Sequence, residues 1–347
     1  MSTFKIVKAH RYLGDRGQGI DSTEERVVIF DEAQRTYEKG RLVLRKHLEE
    51  DEARLILQSL ERSFKNGCVV VALIGHNQAI NRGEVGISAW FKAAEAQGWK
   101  YAIADETLSV SEIPKSDGWS NHPLRENLLV GHLAHSLRYY RNSGIERWAS
   151  AVLQDHPRSA EEISESLHER GDTIWMTRDL TEAKTWVRDH RTGDERAGII
   201  ASGQARRLAA EGIFVDLKPD IASWMLAPSG DIRSSNALET VQNQYRIQGL
   251  EIDYAIVCWD IDLRRKRTGW QSYKMSGSDW QRDREIEVSK NSYRVLLTRA
   301  RKGMVIFVPH GDSTGEDTTR PPEAYDAIAA HLVECGARLL KTSANSS

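Results

Sequence analysis

The chain has 347 residues, 40% hydrophobic and 28% charged, an ordinary composition for a globular protein with room for two domains. Its 48 lysines and arginines are offset by 50 acids, leaving a formal net charge of −2, which excludes a polycation built for bulk nucleic-acid binding and confines any such surface to a local patch. No apolar run approaches the roughly 18 to 20 residues needed to cross a bilayer, and MSTFKIVKAHRY lacks the apolar stretch of a secretory signal, so the expected location is cytoplasmic with no membrane partner.

In chain order, short apolar runs alternate with stretches of helical period, which predicts α/β layering around a mostly parallel sheet. Strands are expected at Val27–Phe30, Cys68–Ile74, Lys100–Ala104, Thr173–Thr177, Gly198–Ala201, Asp253–Trp259 and Met304–Val308. Glu52 to Phe64 carries Ala53, Ile56, Leu60 and Phe64 on one helical face, and a second helix is expected from Val85 to Ala96. The polar segment SEIPKSDGWSNHP, Ser111 to Pro123, interrupts the pattern. It predicts a first domain over 1–115, a linker over 116–125, a second domain over 126–342 and a disordered tail, 343–347. A first domain with only three strands is small for a doubly wound sheet, and the chain is expected to start partway through it. Cys68, Cys258 and Cys335 stand far apart in apolar segments without metal-ligand spacing and read as buried thiols.

VVIFDEAQR, Val27 to Arg35, ends an apolar strand in two acids. Asp31 there could order magnesium and Glu32 polarise an attacking water, because α/β ligands bind at the carboxyl ends of strands. Equally, Asp31 could only cap a following helix. ALIGHNQAINRGE places Gln78 past the next strand, either as an amide that senses a γ-phosphate or as part of a polar turn. YRIQGLEIDYAIVCWDID sets Gln248, Gly249 and Glu251 in a turn before a strand, with Gly249 permitting close backbone approach and Glu251 able to accept a ribose hydroxyl, or simply closing a tight loop. In NSYRVLLTRARKGMVIFVP a helix carrying Arg299 and Arg301 is expected to run into a buried strand, and Arg299 is a candidate arginine finger. Arg264, Arg265, Lys266 and Arg267, followed by Trp270, Tyr273 and Trp280, could grip phosphates and stack bases, or form a solvated loop anchored by two tryptophans.

Taken in order, strand-DEAQ, G-x-x-Q, Q-G-L-E and L-T-R-A-R follow the arrangement of superfamily 1 helicases. The chain resembles most closely the Schlafen group 3-like family of bacterial DNA/RNA helicase-like proteins, from about Lys8 to Leu340. VVIFDEAQR, RGE at Arg82–Glu84, TRDL at Thr177–Leu180, RIQGLEIDYAIVCWD and YRVLLTRARKGMVIFVP carry that resemblance. It implies two RecA-like domains, the first incomplete at its N-terminus. Asp31 and Glu32 would be the magnesium and water-activating pair, Gln78 the γ-phosphate sensor, Gln248, Gly249 and Glu251 the motif coupling nucleotide to nucleic acid, and Arg299 the arginine of the last helicase motif. Arg138 in LAHSLRYYRNS would be the arginine that opens the second domain, and Arg206 and Arg207 in ASGQARRL also follow the family pattern. ATP and Mg2+ are the implied cofactors and single-stranded DNA or RNA the implied partner, with these residues lining one interdomain cleft.

The departures bear on activity. None of the 25 glycines is followed by lysine, so the phosphate loop G-x-x-x-x-G-K-[ST] is absent and with it the amides and lysine that hold the β- and γ-phosphates. Asn243-Gln244-Tyr245 replaces the family's usual Thr-Glu-Phe, and His76-Asn77 fits the sensor motif loosely. Two readings stand: a helicase-like NTPase that needs its phosphate loop supplied, for example by a separately encoded half, or an inactive scaffold that holds nucleic acid or protein.

Overall fold

Val27–Phe30 forms β1, the strand that precedes the Asp-Glu pair, and the chain around it follows the alternation of apolar runs with helices. The computed structural model describes residues 9–14, 19–20, 23–37, 39, 42–43, 46–74, 86–105, 123–128, 143–217 and 220–340. Gln78, Arg82–Glu84, Arg138, the 343–347 tail and nearly all of Ser111–Pro123 lie outside them. The chain divides into two compact units, Met1–His135 and Ser136–Ser347.

In the first unit β1 is followed by a hairpin, β2 (Leu42–Val43) with β3 (Lys46–His47), then α1 (Glu52–Ser63), β4 (Val69–Ala72), α2 (Gly86–Ala96), β5 (Tyr101–Ile103) and β6 (Arg125–Asn127). β1 pairs in parallel with β4, Val27 opposite Val69 through Phe30 opposite Ala72, and β5 pairs in parallel with β6 as a separate two-stranded sheet. Strand alternation decides which side of the β1–β4 pair is packed. Val28, Phe30, Val70 and Ala72 face α1 and α2, where Ala53, Ile56 and Leu60 are fully buried. Val27, Ile29, Val69 and Val71 point the other way and are 61%, 65%, 53% and 40% exposed. A parallel sheet is normally covered on both faces, and among the described residues nothing packs on this β-branched face.

The second unit contains α3 (Ser143–Leu153), α4 (Pro157–Glu169), β7 (Trp175–Thr177), α5 (Leu180–His190), β8 (Ala197–Ala201), α6 (Ile221–Leu226), β9 (Val241–Asn243), α7 (Gln244–Ile247) and β10 (Ile252–Cys258). A meander follows, β11 (Leu263–Lys266), β12 (Gly269–Ser276) and β13 (Asp279–Asp283), then α8 (Ile286–Leu297), β14 (Ala300–Phe307), α9 (Pro322–Glu334) and β15 (Arg338–Leu339). Six strands make one parallel sheet in the order β15-β7-β14-β10-β8-β9. Its central strands are buried on both faces: Ala255 and Val257 of β10 join the core that includes Trp148, Tyr293 and Tyr325, while Ile256 and Cys258 join the core under Val187 and Leu208. The α/β expectation therefore holds. Cys258 and Cys335 are buried free thiols, whereas Cys68 is half-buried. No helix of the described residues is long and apolar enough to cross a membrane.

Gly198 in β8 shows how tightly the second core is built. A Cβ added there would lie 2.4 Å from Cζ2 of Trp224, whose indole is fully buried. Gly198→Ala should cost about 1 to 3 kcal/mol through overpacking, read as a lower urea midpoint at unchanged m-value. An unaltered midpoint would show that the indole can move aside.

Candidate functional site

The Asp-Glu pair sits where the strand order places it, at the carboxyl end of β1. The turn is held from two sides: the amide of Ala33 donates to the Leu73 carbonyl at 2.8 Å, the Leu73 amide donates to the Phe30 carbonyl at 2.8 Å, and Nε1 of Trp90 donates to the Ala33 carbonyl at 2.8 Å. Pinned in this way, Glu32 adopts the left-handed region, φ 53°, which a non-glycine side chain occupies at a cost of about 1 kcal/mol or more. Asp31 is exposed and its Oδ1 accepts from the Glu32 amide at 3.0 Å, while Glu32 accepts from the buried Gln34 amide. The capping alternative is not realised, because only a short 3-10 turn, Ala33–Arg35, follows, and Glu32 at its cap position makes no capping bond. Two carboxylates at a strand end suit magnesium, which is commonly held by one or two carboxylates plus phosphates and water. Among the described residues no cluster of three or more potential ligands is present.

In the second unit the structure brings the Q-G-L-E and L-T-R-A-R motifs together at the amino-terminal ends of β10 and β14, where Ile252 lies opposite Ala300. Gln248 to Glu251 form the expected turn between α7 and β10. Gly249 has φ 83° and a Cβ on it would meet nothing within 4 Å, so the glycine answers a backbone requirement and not a crowded one. Arg299 differs from its expected setting at a helix end: α8 stops at Leu297, and Arg299, 8% exposed, lies just before β14 with Nη1 donating to the Leu250 carbonyl at 2.7 Å. Arg301 is inside β14, not on the helix, and pairs with Glu251 at 3.5 Å.

Arg264 to Lys266 of the basic run lie in strand β11, with Arg267 in the turn that follows, and the structure divides the members. Arg264 donates through Nε to the Ile261 carbonyl at 2.7 Å and stacks over Tyr273 at 4.0 Å and Trp280 at 5.0 Å. Arg265 pairs with Asp155 at 2.8 Å. Lys266 and Arg267 are exposed. Trp270 is 5% exposed and its indole N–H donates to the Val152 carbonyl, so that ring is a core anchor.

Other motif residues have structural duties at the carboxyl ends of the second sheet. Arg178 donates to the carbonyls of Val308 and Pro309, both at 2.7 Å, and Asp179 caps α5 through the Thr181 amide. Arg206 lies 3.7 Å from Asp216, and Arg207 pairs with Asp317. A polar centre that the sequence reading did not single out lies beside them, just past β10. Asp260 is fully buried, its Oδ1 accepting from the Tyr325 hydroxyl at 2.7 Å and its Oδ2 from the Arg207 amide at 2.9 Å. Asp262, 2% exposed, accepts from the Tyr293 hydroxyl. Burial raises both carboxyls; for Asp262, burial and then repulsion from Asp260 outweigh the hydroxyls of Ser202 and Tyr293 and push it up to about 7. The D-x-D spacing after an apolar strand was the available signal.

The sequence matches the family described as Schlafen group 3, DNA/RNA helicase domain, over residues 6–310. The chain belongs to this family. It is therefore helicase-like, of a family that acts on nucleic acid. Comparison with curated proteins gave no match.

Proposed function

We propose that this member of the family works as the core of an ATP-driven nucleic-acid remodelling protein whose phosphate-binding loop is supplied by polypeptide outside these 347 residues, in cis or by a separately encoded half. The observation that carries the reading is the β1–β4 pair: a strand end bearing Asp31 and Glu32, next to an apolar sheet face of Val27, Ile29, Val69 and Val71 that is exposed among the described residues. Asp31 would hold magnesium and Glu32 would orient and polarise the attacking water. Magnesium, when bound with nucleotide, supplies neutralisation of phosphate charge. Arg299 would act on charge that develops on the transferring phosphoryl group. The turn of Gln248, Gly249 and Glu251, tied to Arg299 and Arg301, supports a coupling role because whatever moves Arg299 also moves that turn.

The isolated chain should hydrolyse ATP no faster than buffer, because positioning and electrostatics supply nearly all the catalysis in this chemistry and the loop that positions the triphosphate is absent from the sequence. Co-expressed or fused with a phosphate-loop polypeptide, it should hydrolyse Mg-ATP with stimulation by single-stranded nucleic acid and lose that activity in Glu32→Gln. A phosphate-release assay decides. Turnover by the isolated chain that vanishes in Glu32→Gln would point to a different cradle. A complemented protein without turnover would leave the scaffold reading, which the missing G-K pair favours.

A further inference from the structure

We propose that the three-stranded meander of residues 263–284 is a sequence-independent contact surface for the sugar-phosphate backbone of single-stranded nucleic acid. This rests only on the nucleic-acid part of the function proposed above and not on ATP turnover. The segment carries Arg264, Arg265, Lys266, Arg267, Lys274, Arg282 and Arg284 against the acids Asp279 and Asp283, in a chain whose overall charge is −2. A local surplus of this kind is the footprint expected of a phosphate-binding surface on a near-neutral protein.

Register decides which cations are available. Arg264 is opposite Gln271, Lys266 is opposite Gly269 and Tyr273 is opposite Arg282, so Arg264, Lys266, Gln271, Tyr273 and Arg282 share one face. Arg284 lies in the bend just past the end of β13 at Asp283, two residues after Arg282. Arg264 and Arg265 are consumed internally by the stacking and the Asp155 pair. Lys266, Arg267, Lys274, Arg282 and Arg284 have no side-chain partner among the described residues, and all but the half-buried Lys274 are exposed. Arg282 and Arg284 also flank a depression of about 590 Å³ that reaches Gln271 and Ile286 at the start of α8. The acid between them, Asp283, accepts from the Glu285 amide.

The aromatic rings decide the mode of contact. Bases are held without sequence preference elsewhere by stacking on exposed rings, but here Tyr273 and Trp280 are capped by the Arg264 guanidinium and Trp270 is buried. Phosphates are left as the groups this surface can take. Arg264 then serves as a strut that stiffens the face and adds charge beneath it.

The test is fluorescence anisotropy of labelled oligothymidylate, oligouridylate and a mixed-sequence strand with the full chain, in a salt series and without nucleotide or complement. Arg282→Ala/Arg284→Ala should weaken binding about tenfold and flatten the slope of log affinity against log salt by about 1.4, or roughly 0.7 per lost phosphate contact. Arg147→Ala/Arg158→Ala, which removes the same charge from exposed positions on α3 and α4, should leave the slope unchanged. The three strands should bind within severalfold of one another. The proposal is overturned if the wild-type chain binds none of them, if the meander and control variants behave alike, if affinity depends strongly on base sequence, or if polyglutamate of equal charge competes as well as nucleic acid. Failure of ATP hydrolysis in the complemented protein would leave these measurements untouched.

Discussion

Arg299→Ala should lower turnover of the complemented enzyme by about 10³- to 10⁵-fold while changing ATP affinity little, because an arginine finger acts on charge that exists mainly in the transition state. The structure adds a second consequence of the same substitution. Arg299 is 8% exposed and its Nη1 bonds the Leu250 carbonyl at 2.7 Å, so removing it also unties the turn before β10. A hydrogen bond to a charged group is worth about 1.5 to 3 kcal/mol, and the alanine variant of the isolated chain should lose stability on that order. The two effects separate in measurement. Urea denaturation without nucleotide reports the staple, and the split between kcat and KM in the complemented enzyme reports the finger. Arg299→Lys restores charge but not the planar fork, and should recover little of the rate. If Arg299→Ala lost stability yet kept full turnover, the residue would be a staple alone and the nucleotide would need another cation.

How much of this was legible depended on whether the deciding contacts were local. β1 matches its expected span, Val27–Phe30, because four consecutive β-branched and aromatic residues bounded by charge favour a short strand, although only Phe30 of the four is buried. The turn at Gln248–Glu251 was readable because Gly249 marks a positive φ, 83°, and β10 follows at once. The meander was less visible but not silent. Gly277, with φ 63°, is the first residue of a two-residue connection between Ser276 and Asp279, the position where a hairpin turn requires a positive φ. The basic and aromatic residues flanking it alternate as strands do, and their polarity concealed the signal. What the sequence could not disclose is which cations of the basic run would be occupied: Arg265 is paired with Asp155, more than a hundred residues away, and Arg264 with rings on the next two strands. The run LLTRAR reads as a continuing helix that would carry Arg301, whereas α8 ends at Leu297 and pairing with β10 puts Arg301 in β14. The buried acids were hidden for the same reason. D-x-D is common on surfaces, and only the hydroxyls of Tyr293 and Tyr325, brought by α8 and α9, make it an interior pair.

That pair should make stability fall as pH rises from about 4 to 7, the reverse of what paired surface carboxylates do. Asp262 has its folded value raised to about 7, from the ordinary 3.8, so the folded state binds a proton that the unfolded state has released throughout that window. The stabilisation is complete below about pH 4 and disappears as pH passes 7, with a slope of up to ~1.4 kcal/mol per pH unit for one proton. Asp260 is raised as well and adds in the same direction. Asp231 and Asp312, held at about 2 by the Arg233 side chain and the Asp317 amide respectively, lend stability that is already complete above pH 4 and so do not set this slope. His331 opposes it: burial lowers its value from 6.5, so the unfolded state binds that proton more readily and stability gains as pH rises to about 6.5. The clean measurement is therefore a difference. In Asp262→Asn the amide oxygen can still accept from the Tyr293 hydroxyl while no proton is exchanged, and the His331 contribution is the same in both proteins. The variant should be less stable than wild type or equal to it near pH 4.5 and more stable near pH 8, with the two urea-derived curves crossing between. Parallel curves would mean that Asp262 is ionised in the folded protein, with the nearby Arg264 and Arg207 compensating it, and the strand end past β10 would then be an ion-pair network in place of a proton store.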